Sequence, residues 1–150
     1  GVSSVCEKKY FGGQPEIDIP EVLGTTKLPI LIKDFISTKE QIRKYRNICS
    51  SSKNFDKERV GLLLIAHHLK NRLKDVATYC YRIGLYPFIE IKSIEDLDYI
   101  VGLASNTFLV GFNNCDIDKL ETRKNKTTLN ANFISLPSRF FVWRIFDRIL

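Results

Sequence analysis

The chain has no methionine, a single tryptophan at Trp143, and only two histidines, adjacent at His67 and His68. It opens on Gly1-Val2-Ser3-Ser4-Val5-Cys6, which already reads as a strand, so it is expected to begin inside a longer protein. Neighbouring histidines point in different directions and no third ligand stands at a useful spacing, so no metal site is assigned and the pair is read as structural or surface. The four cysteines, Cys6, Cys49, Cys80 and Cys115, form no CxxC pair. That speaks against a zinc ribbon or redox dithiol and fits the reduced thiols of a cytoplasmic protein. No apolar run approaches the roughly 18 residues of a membrane span. The first ten residues lack the basic leader and long apolar stretch of a signal peptide.

What is present is ordinary globular composition, 44% hydrophobic and 27% charged, enough for one domain with a proper core. The net charge of +6 is unevenly placed. From Lys119 to Leu150 seven basic residues (Lys119, Arg123, Lys124, Lys126, Arg139, Arg144, Arg148) face only Glu121 and Asp147, which accounts for +5 of the +6. The body is close to neutral, and no nucleic-acid partner is expected for it.

Apolar runs and amphipathic stretches alternate. Strands are expected at Val2 to Cys6, Leu28 to Phe35, Val60 to Ala66, Tyr86 to Lys92 and Thr107 to Asn114. Between them, Gln14 to Lys27, with Pro15, Pro20 and Gly24, holds only a short helix. Ser37 and Glu40 are expected to cap a helix from Thr38 to Cys49. Ser50 to Arg59 reads as a polar exposed loop. A helix from Leu69 to Ile83 carries Leu69, Leu73, Val76, Ala77 and Cys80 on one stripe and stops at Gly84. Another is capped by Ser93 near Asp96, with Leu97, Ile100, Val101 and Ala104 as its stripe. Strict alternation calls for a parallel sheet with right-handed crossovers, and both an open doubly wound sheet and a (β/α) barrel satisfy it.

Three of the strands end in polar residues on otherwise apolar faces: Lys33, Glu90 and Asn113. An ammonium is costly to bury, so Lys33 is expected where its strand ends and the core opens. In α/β proteins that end is where chemistry sits. Lysine, glutamate and amide on one rim supply a proton donor, a carboxylate acid/base and a neutral positioning group. The plain alternative is a salt bridge closing the strand ends.

Leu28-Pro29-Ile30-Leu31-Ile32-Lys33-Asp34-Phe35 and the turn after it resemble the third strand of indole-3-glycerol phosphate synthase, a (β/α)8 barrel family. Glu7 to Gly13 resembles the loop after the second strand of that family, Leu62 to Ala66 its fourth strand, Gly84 to Ile91 its fifth and Leu109 to Asp116 its sixth. The resemblance implies an α/β fold, a partial (β/α)8 TIM barrel incomplete at both ends. Residues 1–122 would form it, and 123–150 a basic aromatic tail, expected to be helical. It also implies a lyase that converts a carboxyphenylamino-deoxyribulose phosphate to indole-3-glycerol phosphate with loss of carbon dioxide and water. No cofactor or metal is implied. Carried over by position, Lys33 would be the general acid of ring closure, Glu90 the acid/base of dehydration and Asn113 the positioning group. Phe11, Phe35 and Leu63 would line the aromatic part of the substrate pocket.

The chain departs from the family pattern in places. Cys115 stands where the family usually has arginine, Ser50 to Arg59 is longer than usual, and neither a seventh-strand Glu-Ser-Gly pattern nor a final glycine-rich strand end is found. The expected partner is a phosphorylated small molecule, with no nucleic acid and no membrane. The alternative reading is a non-catalytic truncated remnant or interaction module that self-associates through open barrel edges. A third is another phosphate-binding barrel of related build.

Overall fold

The computed structural model describes residues 2–5, 13–104, 107–113, 115–116, 121–122 and 143–144. Five strands follow one another in the sheet as they do in the chain: β1 (Val2–Val5), β2 (Ile30–Lys33), β3 (Val60–Ile65), β4 (Tyr86–Ile91) and β5 (Leu109–Phe112). A two-residue strand, β8 (Trp143–Arg144), lies beyond β5, and every pairing in this six-stranded sheet is parallel. Two further short strands, β6 (Cys115–Asp116) and β7 (Glu121–Thr122), form a separate antiparallel ladder.

Sequential order separates the two architectures that alternation allows. A doubly wound sheet reverses its strand order at a switch point and carries helices on both faces. Here no reversal occurs, and the core lies on one face. Residues in register across parallel strands share a face, and successive residues along a strand change face. Ile30, Ile32, Val60, Leu62, Leu64, Ile89, Ile91 and Val110 therefore form one surface. All are buried in a single cluster with Ile19 and Leu23 of helix α1 (Pro15–Thr25), Ile42, Tyr45 and Ile48 of α2 (Lys39–Ser50), and Leu73, Val76 and Cys80 of α4 (Leu73–Arg82). This is the sheet and helix layering of a (β/α) barrel. The closed eight-stranded ring is not seen among the described residues, where β1 and β8 each have one sheet neighbour.

Several local expectations shift. The cap of α2 is Thr38, not Ser37, and its capping-box partner is Gln41, not Glu40. The Ser37 hydroxyl instead lies 2.6 Å from His68 Nε2. The helix expected from Leu69 is broken. A short α3 (Ala66–Leu69) leaves β3 directly, Lys70 takes a positive φ of 49°, and a 3-10 turn (Lys70–Arg72) leads into α4. The break lets Ala66 and Leu69 pack at the strand end while the stripe from Leu73 to Cys80 packs against the sheet. Gly84 follows α4 with φ +84°, the left-handed stop that its residue type provides.

After β4 the Ser93 and Asp96 capping box forms, but around a 3-10 segment (Ile94–Tyr99) rather than an α-helix. Just beyond it Ile100 is buried, and Leu97, Tyr99 and Leu103 pack partly buried against the core. Val101, expected inside, is 64% exposed, and Ala104 is exposed too. The segment 50–59 is better anchored than a polar loop. Phe55 packs on the core beneath the Arg46 guanidinium, 4.3 Å from its ring, and Arg59 donates to the carbonyls of Thr26, Leu28 and Asn54. Of the tail expected to be helical, Trp143 and Arg144 are strand, paired with Gly111 and Phe112; the remainder lies outside the described residues. No described helix is long and apolar enough to cross a membrane.

Candidate active site

The second face of the sheet carries the odd-numbered residues of β2, β3 and β5 and the even-numbered residues of β4: Leu31, Lys33, Leu63, Ile65, Tyr86, Phe88, Glu90, Leu109 and Gly111. Several of these, including Leu31, Ile65 and Leu109, are only half-buried, and none belongs to the helix-packed cluster. The three polar residues read as strand ends sit at one rim of this face. Lys33 is the last residue of β2, Glu90 the penultimate residue of β4, and Asn113 follows β5 by one. Asn113 N–H donates to the Ile91 carbonyl at 2.8 Å, which continues the ladder and keeps its side chain on the Glu90 side.

Two of the three side chains meet. Asn113 Nδ2 donates to Glu90 Oε1 at 3.0 Å, and Glu90 is only 4% exposed. A carboxylate taken so far from water needs such donors. Gly111, in register with Glu90, brings no side chain to that row. Lys33 stands apart, half-buried, with no hydrogen bond or ion pair among the described residues, so the salt bridge considered as its plain role is not formed. β3 separates its strand from that of Glu90, and the register sets Lys33 level with Leu63 but Glu90 level with Ile65, two residues further on, which puts the two about 12 Å apart. Leu63 stands beside Lys33 on β3, buried and in register with Phe88, and Ile65 stands beside Glu90. Phe88 is a site-face residue that motif reading passed over, although its parity with Glu90 marks it.

The turn after Lys33 is held by its own helix. Tyr45 OH donates to Asp34 Oδ2, and Phe35 N–H donates to Asp34 Oδ1 at 2.7 Å. Gln41 alone closes three bonds: Oε1 accepts from Ser37 N and Thr38 N at 2.7 and 3.0 Å, and Nε2 donates to the Phe35 carbonyl at 3.0 Å. Phe35 is left 52% exposed at the rim. Phe11 and the side chain of Cys115 lie outside the described residues. Among the described residues no group of three or more His, Cys, Asp or Glu is placed to hold a metal ion. At the opposite end of the site face, burial, and secondarily the neighbouring Tyr81, raises the Tyr86 hydroxyl above its ordinary value.

Comparison with known proteins names the architecture. The profile of the indole-3-glycerol phosphate synthase family matches residues 1–141. The chain belongs to the indole-3-glycerol phosphate synthase family. The match runs past Thr122, where the resemblance read from motifs stops. Among curated relatives, the indole-3-glycerol phosphate synthase of Pyrococcus abyssi is 32% identical over 141 residues, 93% of this chain and 56% of that protein. Its counterpart in Pyrococcus furiosus is 34% identical over 142 residues, 93% of this chain and 57% of that protein. The tryptophan biosynthesis protein TrpCD of Archaeoglobus fulgidus is 35% identical over 118 residues, 79% of this chain and 19% of that protein. The chain thus spans little more than half the length of the two synthases it matches. In the family's terms, β1 to β5 stand where the motifs put its second to sixth strands.

Proposed function

We propose that this chain carries part of the catalytic face of an indole-3-glycerol phosphate synthase, a carboxy-lyase that closes the indole ring of a carboxyphenylamino-deoxyribulose phosphate in tryptophan biosynthesis. The observation that carries the reading is the Asn113 to Glu90 bond at the same rim and on the same face as Lys33. An enzyme of this kind must protonate the ketone oxygen of the substrate as the ring closes and, after carbon dioxide is lost, remove that same oxygen as water. Two separate groups serve those steps better than one ion pair, because each then keeps its proton inventory for its own step. Lys33, without an ionic partner among the described residues, is the general acid of ring closure. Glu90 is the acid/base of dehydration, and the Asn113 amide fixes its carboxylate plane. Leu63 and Phe35, with Phe11, supply apolar surface for the arylamine ring. The substrate is a phosphorylated small molecule, and the chemistry calls on these side chains without a cofactor. Cytoplasmic location follows from the same reading.

The test is indole-3-glycerol phosphate formation by the 150-residue chain and by the longer protein of a relative with the matching lysine changed. Lys33→Ala is expected to lower turnover by at least about a hundredfold. Unchanged turnover would sink the assignment.

A second reading rests on the sheet edges at β1 and β8, each with one neighbour among the described residues. A parallel edge of this kind pairs readily with another chain, so a non-catalytic module that self-associates is the competing function. Sedimentation velocity separates the two: a monomer that turns over substrate excludes it.

A further inference from the structure

The tandem histidines are used by neither the core nor the chemistry described above, yet both reach the rim. α3 springs from the end of β3, the strand that lies between those of Lys33 and Glu90. Ala66 and Leu69, three residues apart, are buried and fix the rotation of this turn. Consecutive residues on a helix point about 100° apart. The two residues between the anchors therefore reach to opposite sides, one over each neighbouring strand.

The contacts follow that geometry. His68 Nε2 shares a 2.6 Å hydrogen bond with Ser37 Oγ in the loop after β2, and its ring meets Phe35 edge-on with centroids 6.4 Å apart. Arg72 Nη1 adds a 3.2 Å bond to the Ser37 carbonyl from just beyond the same turn. On the other side His67 Nδ1 lies 3.6 Å from Asp96 Oδ1. Asp96 is 2% exposed, and its second oxygen accepts from Lys92 N and Ser93 N at 2.9 and 3.3 Å, immediately after β4. The His68 arm is a direct hydrogen bond. The His67 arm is longer than one, half-exposed, and correspondingly weaker.

We propose that His67 and His68 are positioning residues that brace the loops after β2 and β4 against the end of β3, with His68 holding Phe35 at the rim. Gln41 and Tyr45 hold the β2 loop from the α2 side only; His68 supplies the restraint from the β3 side. The consequence for substrate rests on Phe35 lining the aromatic pocket, as proposed above; the brace itself does not.

The experiment is hydrogen–deuterium exchange of the full chain, read in peptides covering 34–38 and 92–96, for wild type, His68→Leu, His68→Gln and His67→Leu. A side chain of glutamine offers both a donor and an acceptor near the position of Nε2, so it can meet Ser37 Oγ in either sense. His68→Leu is expected to speed exchange at 34–38 about tenfold, with β4 unchanged and His68→Gln close to wild type. His67→Leu is expected to speed exchange at 92–96 by about twofold. Where turnover is measurable, His68→Leu raises KM several-fold with kcat nearly unchanged, a split that loss of folded protein does not produce. Equal exchange at 34–38 in wild type and His68→Leu, or equal behaviour of the Leu and Gln variants, overturns the proposal. Should His68→Leu not fold, Ser37→Ala removes the other partner of the same bond and must reproduce the acceleration. Exchange needs no turnover, so a chain that makes no product counts against the activity reading alone.

Discussion

Leu63 and Leu64 are neighbours on one strand, both buried, and they belong to different halves of the protein. Leu64 points into the helix-packed cluster with Leu62 and Ile89, whereas Leu63 faces the other way, in register with Phe88 on the surface that ends in Lys33 and Glu90. The helix face is apolar throughout and supports stability. The site face mixes half-buried aliphatics with one buried carboxylate, a lysine and an amide, and gives up cohesion for chemistry. In a strand buried on both sides, hydrophobicity does not tell the faces apart; parity relative to the polar residue does.

The largest effect that would sharpen this comparison is on turnover. Glu90→Gln keeps the shape and an acceptor for Asn113 Nδ2, yet removes the acid/base, and is expected to cost about 10²- to 10⁴-fold in kcat with little change in melting. A steady-state assay beside a denaturant melt checks both halves of the statement. Next come the paired leucines. Leu64→Ala is expected to destabilise the fold by about 2–5 kcal/mol. Leu63→Ala should cost clearly less and raise KM instead, because the surface it leaves is already partly open. Equal losses from the two substitutions in urea melts would break the distinction between the faces.

A pH effect of moderate size belongs to the helix face. Burial pushes the Cys80 thiol of α4 well above its ordinary value of 9.0, so the folded chain keeps the proton that the unfolded chain releases. The contribution is intact below about pH 9 and is lost as pH rises above it, by up to about 1.4 kcal/mol per unit. Cys80→Ala should remove that slope from stability measured between pH 8 and 10.5, although it lowers stability at neutral pH. The smallest effect is local. Gly84→Ala places a Cβ at φ +84° and is expected to cost about 1 kcal/mol, seen as a shift of the melt and not of turnover.

Much of the architecture was legible because burial leaves a periodic trace. The strands β2 to β5 fall where apolar runs stood, and Lys33 ends its strand as the cost of burying an ammonium requires. The misplaced features are those where a local pattern was extended too far. Ser37 was read as a cap because caps are local, but His68, 31 residues on, takes its hydroxyl. Val101 and Ala104 were placed inside because a long helix with a 3.6 period was assumed, whereas the segment after β4 is a 3-10 turn that ends at Tyr99, and the chain turns again at Gly102, φ +87°.

The sequence by itself determined the strand and helix alternation and the residue types at the strand ends, because those are written in composition and spacing, and its motifs carried the resemblance to the family. Tertiary structure decided the rest. Parallel register put Glu90, Gly111 and Leu63 on the face of Lys33, strand order kept Lys33 and Glu90 one strand apart instead of paired, and backbone continuation after β5 brought the Asn113 amide onto the Glu90 carboxylate. Two histidines that are uninformative as neighbours in sequence became a brace because helical geometry sends adjacent side chains to opposite loops.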